Sequence, residues 1–146
     1  MKKILKLEYV SLILLAFLVG CASAQGNNIF YQKSQASELV EKGWQALNEK
    51  EYEKAHQIAD QCLALYSEKA KQINDGCNIK NSKRSDTCQL LNDTAQCFFI
   101  KAKVYSDTDR HKEAREACNE LKKYYFNALV FDPRGWPWRP SDACNF

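Results

Sequence analysis

The sequence predicts an all-α fold: two antiparallel helical hairpins, with four main helices in all, followed by a disulfide-stapled irregular C-terminal tail. One observation is an internal repeat, since moving Lys42–Tyr66 forward by 59 positions places it on Lys101–Tyr125, with small residues on small residues. Another is that the apolar residues in both segments recur at three and four positions, the period of an amphipathic helix. The last is the presence of seven cysteines in 146 residues, which indicates an oxidising compartment.

Residues 1–20 have the pattern of an export signal. Lys2, Lys3 and Lys6 precede the apolar run Val10–Val19, which is too short for the roughly 20 residues that span a bilayer. Leu18-Val19-Gly20-Cys21 resembles a bacterial lipobox, in which the cysteine is lipidated and becomes the mature N-terminus. We therefore expect lipidation at Cys21 and a cysteine count that falls to an even six. By resemblance to enterobacterial lipoproteins, Ala22 rather than Asp after the cysteine implies an anchor at the periplasmic face of the outer membrane.

An ordinary signal cleaved after Ala24 is the alternative, since Ala22-Ser23-Ala24 satisfies the small-x-small rule. It would give a soluble periplasmic or secreted protein. Residues 21–36 are small, polar and unpatterned, which predicts a tether that ends where the helical domain, residues 37–146, begins. Within it, Ile29, Phe30 and Tyr31 are expected to dock on the first helix, or else to form a partner-binding strip.

The first predicted hairpin begins at a cap, Ser34 or Ser37, and its first helix runs to about Glu49. After a polar turn, a second helix of about 22 residues has an apolar stripe at intervals of three, four and seven: Tyr52, Ala55, Ala59, Cys62, Tyr66 and Ile73. Residues 74–87 lose this period and predict a loop with a basic tip. Cys77 and Cys88 bracket that loop.

The second predicted hairpin repeats the pattern. Its first helix runs from about Cys88 to Ser106, and its second from about His111 to Phe131, where Asp132-Pro133 ends it because proline disfavours a helical predecessor. The remaining tail contains two tryptophans, two prolines and the last cysteine. We expect it to fold back over an exposed helix face; sugar stacking on Trp136 and Trp138 is the lesser alternative.

These residues resemble tetratricopeptide repeats over about residues 37–133. The small and aromatic positions of that motif are matched in the first copy by Leu39, Gly43, Tyr52, Ala55 and Ala59, and in the second by Phe98, Ala102, Tyr105, His111, Ala114 and Cys118. Ala128–Pro133 resembles its closing phrase. The sequence departs from the motif in its 59-residue offset, in His111 at an aromatic position, and in having two units where at least three are usual. A two-unit stack needs extra stabilisation, and disulfides at about 2–4 kcal/mol each would supply it.

The six remaining cysteines allow about fifteen pairings. Cys77 and Cys88 flank one loop, so we expect them to pair. Folding the second hairpin about residue 108 brings Cys97 and Cys118 to one level, which favours a second bridge. Cys62 and Cys144 are left for the third.

The sequence offers no recognisable catalytic or metal site. Cys-x-x-Cys is absent and neither His56 nor His111 has another histidine three to five residues away, so zinc-ribbon, haem and thioredoxin spacings are missing. We expect no cofactor, no metal and no enzymatic activity. The leader accounts for +2 of the net charge of +3, and a near-neutral body argues against a nucleic-acid partner.

Resemblance to repeat-containing lipoproteins implies a scaffold that binds a protein or peptide partner of the cell envelope during assembly or secretion. The expected contact residues lie off the core stripe: Gln45, Asn48 and Gln96 on the first helix of each hairpin, with Lys80, Lys83 and Arg84 in the basic loop. The alternative is a pilotin-type lipoprotein, a chaperone that escorts a secretin subunit to the outer membrane.

Lipidation is directly testable. Radiolabelled palmitate should enter the protein expressed in a bacterial host, and Cys21→Ala should abolish the label because no acceptor thiol remains at the end of the apolar core. Equal labelling of the two proteins would contradict the lipobox interpretation.

Overall fold

Five α-helices and one two-stranded sheet make up the part of the chain that the structure describes. The structure is a computed structural model; it describes residues 34–77 and 86–146, which belong to one compact unit. Cys21, the leader, residues 29–31 and the loop residues Lys80, Lys83 and Arg84 lie outside these ranges. The helices are α1 (Gln35–Asn48), α2 (Tyr52–Ile73), α3 (Asp86–Asp107), α4 (His111–Tyr124) and α5 (Pro140–Ala143). A 3₁₀ turn covers Asn74–Gly76, and strands β1 (Val130–Phe131) and β2 (Pro137–Trp138) pair antiparallel. The prediction of a mainly helical fold is confirmed.

The turn from α1 to α2 and the turn from α3 to α4 have the same backbone geometry. Lys50 and Asp109, which are 59 positions apart, both adopt the left-handed conformation, with φ of 60° and 59°. In each turn the next N–H donates to a carbonyl five residues earlier, from Glu51 to Ala46 and from Arg110 to Tyr105, and both N···O distances are 2.8 Å. These bonds satisfy helix carbonyls that would otherwise lack a partner. The repeat seen in the sequence therefore exists in the backbone at both turns.

A buried carboxylate on α3 fixes the start of α1. Ser34 caps the helix by accepting a hydrogen bond from the backbone N–H of Ser37. The hydroxyl of Ser37 donates to Asp93 Oδ2 over 2.6 Å, and Gln89 Nε2 donates to Asp93 Oδ1 over 2.8 Å. A carboxylate buried as fully as Asp93 needs such donors, because removing it from water is otherwise costly.

Helix α1 packs tightly on α3 at Gly43. A Cβ placed on this residue would lie 3.1 Å from Ile100 Cδ1, tighter than ordinary van der Waals contact. Around this point, Ala46, Leu47, Ala55, Ala59, Ile100 and Val104 form one buried cluster. Next to it, Leu39, Val40 and Leu63 surround the disulfide between Cys62 of α2 and Cys97 of α3.

Helix α4 ends at Tyr124, so the prediction that it continues to Phe131 is wrong. Two asparagine side chains supply the bonds that a continuing helix would have made. Asn74 Oδ1 accepts from the N–H of Asn127 over 3.1 Å, and Asn92 Oδ1 accepts from the N–H of Leu129 over 2.9 Å. These bonds direct the chain away from the axis of α4 before Asp132-Pro133. Residues Ala128–Pro133 therefore do not form the end of a helix.

All six described cysteines are bonded, in the pairs Cys62–Cys97, Cys77–Cys88 and Cys118–Cys144. The predicted loop bridge is confirmed, whereas the predicted pairs Cys97–Cys118 and Cys62–Cys144 are wrong. Counting residues from the turn fixes the level of a cysteine along a helix but not the direction in which it points. Cys97 and Phe98 are neighbours on α3, so their side chains leave the helix in directions about 100° apart. The Cys97 side chain points at α2, where it bonds to Cys62. Cys118 bonds instead to Cys144 of the tail.

The tail packs back onto a helix, as predicted, but that helix is α3 and not the second helix, across which the predicted Cys62–Cys144 bridge would have pinned it. Trp138 meets the ring of Phe99 edge-on with centroids 5.2 Å apart, and Phe146 lies 5.6 Å from the same ring. The bridge to Cys118 holds the end of the tail on α4. Trp136, by contrast, is 69% exposed and covers no helix. No helix in the described ranges is both long and apolar enough to cross a bilayer.

Removing the tail bridge should destabilise the fold measurably. Replacing both Cys118 and Cys144 by Ser should lower the free energy of unfolding by about 2–4 kcal/mol, since the bridge restricts the unfolded chain. Replacing Cys77 and Cys88 is the matched control; it should cost about 1 kcal/mol less, because that bridge closes a loop of 11 residues rather than 26. Denaturant unfolding gives both values. A non-reduced peptide map that links Cys97 to Cys118 would contradict the account.

Candidate protein-binding groove

A groove of about 810 Å³ lies between α1 and the tail ribbon, which we define as residues 130–138. One wall is a face of α1 and the other is the tail ribbon. Gln96 of α3 lies between them, and each wall contributes one tryptophan ring, Trp44 from α1 and Trp138 from the tail ribbon. The lining residues are Val40, Glu41, Trp44, Gln45, Asn48, Glu49, Gln96, Val130, Phe131, Asp132, Pro133 and Trp138.

The α1 wall consists of two rows of side chains at helical spacing. Val40, Trp44 and Asn48 recur at intervals of four, and so do Glu41, Gln45 and Glu49, which places each row along one side of the helix. The second row is exposed to solvent. Within it, Gln45 Nε2 donates to Glu49 Oε1 over 3.0 Å. The wall is therefore polar and acidic at its outer edge and apolar toward the floor.

Packed aromatic rings support the two walls of the groove. Trp44 lies 5.9 Å from Phe99, and Phe99 in turn contacts Trp138, so one ring of α3 supports a ring from each wall. Trp44 Nε1 donates to Gln96 Oε1 over 3.2 Å, which orients both side chains. Three large hydrophobic side chains are exposed among the described residues, and none of them lines the groove: Leu65, Phe126 and Trp136.

The tail ribbon is kept rigid by Asp132. Its Oδ1 accepts from the backbone N–H groups of Arg134 and Trp136, each over 2.9 Å, and its Oδ2 accepts from the Arg134 guanidinium. The hydrogen bond from Trp136, followed by the contacts with Arg134, holds the pKa of the Asp132 carboxyl below its usual range. Gly135 completes the turn with a φ of 89°, which only glycine adopts without strain.

The structure brings together three of the residues predicted to contact a partner. Gln45, Asn48 and Gln96 all line the groove, although they come from helices that are far apart in the sequence. The three predicted basic contacts, Lys80, Lys83 and Arg84, lie outside the described residues. Sequence reasoning missed Glu41 and Glu49, whose spacing of four from Gln45 was a usable signal. It also missed the tail ribbon, whose position depends on a disulfide pairing that spacing could not fix.

A second polar cluster lies between α2 and α3. His56 Nε2 is 2.8 Å from Tyr105 Oη, its Nδ1 is 3.4 Å from Asp60, and Lys101 Nζ donates to Asp60 Oδ1 over 2.6 Å. These contacts make His56 a packed residue that joins the two helices. His111, at the start of α4, is exposed. The described residues contain no group of three or more His, Cys, Asp or Glu side chains arranged to hold a metal ion.

Comparison of the chain with protein-family models, with curated proteins and with solved structures found no match. The groove is therefore the feature of this protein from which a function can be proposed.

Proposed function

We propose that this protein is a lipid-anchored periplasmic scaffold with a tetratricopeptide-like arrangement of two helical hairpins, and that it binds a segment of a partner protein in the groove. The equivalent turns at Lys50 and Asp109 support the repeat. The three disulfides are compatible with an oxidising compartment. The lipobox resemblance at Cys21 supports the anchor.

The observation that carries the proposal is the set of primary amides in the groove. Gln45, Asn48 and Gln96 each carry one acceptor oxygen and two N–H donors. Within the protein, Gln45 Nε2 donates to Glu49 and Gln96 Oε1 accepts from Trp44, and an amide has further donor and acceptor positions beyond one such bond. The backbone of an extended peptide likewise presents both donors and acceptors along its length. The amides and the apolar rings of the groove therefore suit an extended peptide. Its backbone polar groups can bond to the amides, and some of its side chains can be buried against the rings.

A lipid anchor would place this binding at the membrane. A short tether between Cys21 and the start of α1 would hold the groove close to the membrane surface, where envelope proteins are assembled or exported. A permanently attached scaffold raises the local concentration of a partner there without contributing chemistry of its own. A pilotin-type chaperone would use the same anchor and groove for one partner, a secretin subunit.

Site-specific photo-crosslinking tests the proposal. A photoreactive amino acid at Asn48 should capture a partner in the envelope of the cells that encode the protein, because Asn48 is an exposed residue of the groove. The same amino acid at Arg115, an exposed position on α4 outside the groove, should not capture it. Mass spectrometry of the adduct should locate the crosslink in one continuous segment of the partner.

A blocking variant controls for chance contact. Gln45→Trp should fill the groove and abolish the Asn48 adduct, whereas Arg115→Trp should leave it intact. Adducts that persist in Gln45→Trp, or that form equally from Arg115, would contradict groove binding. A single captured partner that is a secretin subunit would assign the protein to the pilotin class, and several unrelated partners would favour a general scaffold.

A further inference from the structure

The turn of the tail ribbon presents an aromatic ring to solvent. Residues 133–137 are all exposed, and Trp136 among them is 69% exposed. The Trp136 ring neither covers a helix nor lines the groove, so the fold itself does not account for a large apolar side chain at this position. Exposure of the ring to water is unfavourable unless a partner covers it.

The backbone at Trp136 is held in one conformation. Its N–H donates to Asp132 Oδ1 over 2.9 Å, and its carbonyl accepts from the N–H of Asp132 over 3.0 Å. Pro133 and Pro137 bracket the turn, and each proline ring restricts φ to about −65°. A ring presented from such a turn loses little conformational entropy when it contacts a partner.

A second exposed aromatic residue, Phe126, lies near this turn. Arg139 Nη1 donates to the carbonyl oxygen of Phe126 over 2.7 Å, which joins the chain just after the tail ribbon to the segment after α4. Trp136 is three residues before Arg139, so at most about 10 Å of backbone separates them. We define the basic aromatic surface as these three residues and the two lysines in the last turn of α4: Lys122, Lys123, Phe126, Trp136 and Arg139.

The three basic residues of this surface contact neutral partners. Lys122 donates to the amide oxygen of Asn145, and Arg139 donates to the backbone carbonyl described above. Lys123 lies over the ring of the next residue, Tyr124. These contacts hold the side chains in place without cancelling their charges.

Two of the acidic residues near this surface are paired with other cations. Glu120 is 3.0 Å from Lys71 of α2, and Asp132 is 2.9 Å from Arg134. Asp142, in α5, reduces the net positive charge of the surface but does not cancel it. The basic aromatic surface is therefore complementary to an anionic partner.

The expected lipid anchor would keep this surface close to a bilayer. Cys21 is thirteen residues before Ser34, where the described chain begins, and a chain of this length spans at most about 45 Å when fully extended. The radius of gyration of a domain of about 100 residues is about 13 Å, so the anchored domain cannot move far from the lipid. Such a tether gives exposed residues a high effective concentration at the membrane surface.

The side chains of this surface are of the types that favour the headgroup region of a bilayer. A tryptophan there places its apolar ring and its N–H donor at the boundary between hydrocarbon and water. Lysine and arginine bury their methylene groups and keep their charged ends in water, and clusters of them are attracted to anionic lipids. A bilayer that contains anionic lipids therefore fits both the rings and the charges.

We propose that the basic aromatic surface binds the domain to the lipid bilayer. The rings of Trp136 and Phe126 enter the headgroup region, and the three basic side chains pair with anionic headgroups. This inference rests on the proposed function, because the lipid anchor brings the surface to the membrane, and it goes further by fixing which side of the domain faces the lipid. The tail ribbon, one wall of the groove, then lies next to the membrane surface.

Tryptophan fluorescence of the full-length lipidated protein tests the inference. The protein is purified in detergent and reconstituted into vesicles of phosphatidylethanolamine and phosphatidylglycerol, some of which carry bromine near the headgroup end of their acyl chains. The brominated lipid should quench the share of the emission that comes from Trp136, one of three tryptophans. Trp136→Phe should remove this loss, because Trp44 and Trp138 are packed against Phe99 within the domain.

A matched variant controls for chance contact with the bilayer. Gln57→Trp, combined with Trp136→Phe, moves the exposed ring to the start of α2. This position is ten residues, or roughly 15 Å along the helix, from Ser67, which accepts a hydrogen bond from Tyr125. The emission of this variant should not be quenched by brominated lipid, and its thermal unfolding should match that of the wild type.

A second pair of variants tests the charges. Lys122→Gln combined with Lys123→Gln should reduce the quenching of Trp136, as should replacement of phosphatidylglycerol by phosphatidylcholine or added salt. Lys112→Gln, at the exposed start of α4, should leave the quenching unchanged. Quenching that is insensitive to lipid charge, salt and the two lysines would overturn the pairing with anionic headgroups.

Flotation of the same vesicles in a density gradient separates the two proposals. Wild-type protein that floats with the vesicles but is not quenched would overturn the surface inference while the lipid anchor stands. Quenching that persists in Trp136→Phe would place the membrane contact elsewhere and also overturn it. Protein that does not float would contradict both the anchor and the surface. A photoreactive amino acid at position 136 that captures a protein, without quenching of the wild type, would assign the surface to a protein partner and overturn the inference.

Discussion

Helix α3 is contacted by α1, α2, α4 and the tail, and its burial constrains where each of them lies. The stretch from Leu91 to Ala95 is buried throughout, including the polar side chains of Asn92, Asp93 and Thr94. Each of these polar groups has a partner, since burying one without a hydrogen bond costs free energy. Asp93 thereby positions the start of α1, and Asn92 positions the segment that follows α4. The polar residues in the centre of α3 act as fixed attachment points for its neighbours.

The position of the groove also depends on the attachment of these elements to α3. Gly43 lets α1 approach α3 closely. Asn92 of α3 holds the chain just before the tail ribbon, Trp138 of the ribbon packs on Phe99 of α3, and the Cys118–Cys144 bridge ties the end of the tail to α4. The two walls are thus attached independently to one rigid element, with Phe99 packed between Trp44 and Trp138. A binding surface fixed in this way loses little conformational entropy when a ligand enters.

The helices could be predicted from the sequence because their apolar stripes are long and regular. The 59-residue repeat also located both turns, and the loop bridge followed from the short separation of Cys77 and Cys88. The end of α4 could not be predicted, because the bonds that terminate it come from Asn74 and Asn92. Both residues are distant in sequence, and they lie in a predicted loop and inside a predicted helix. The predictions of the other two bridges were wrong, because counting residues gives the level of a cysteine along its helix and not the direction in which its side chain points. Three amide residues of the groove were predicted; its acidic row and its second wall were not.

The central claim is that the face shared by α1, α3 and the tail ribbon is the one that receives a ligand. The most direct measurement is the nuclear magnetic resonance titration of the side-chain amide and indole N–H signals with a synthetic peptide of the partner segment that the Asn48 crosslink locates. The account predicts saturable shifts of the Gln45, Asn48 and Gln96 amides and of the Trp44 indole, whose N–H donates to Gln96. The amide of Gln61, exposed on α2 and outside the groove, should not move. Shifts at Gln61 with none at Gln45, Asn48 or Gln96 would contradict the account.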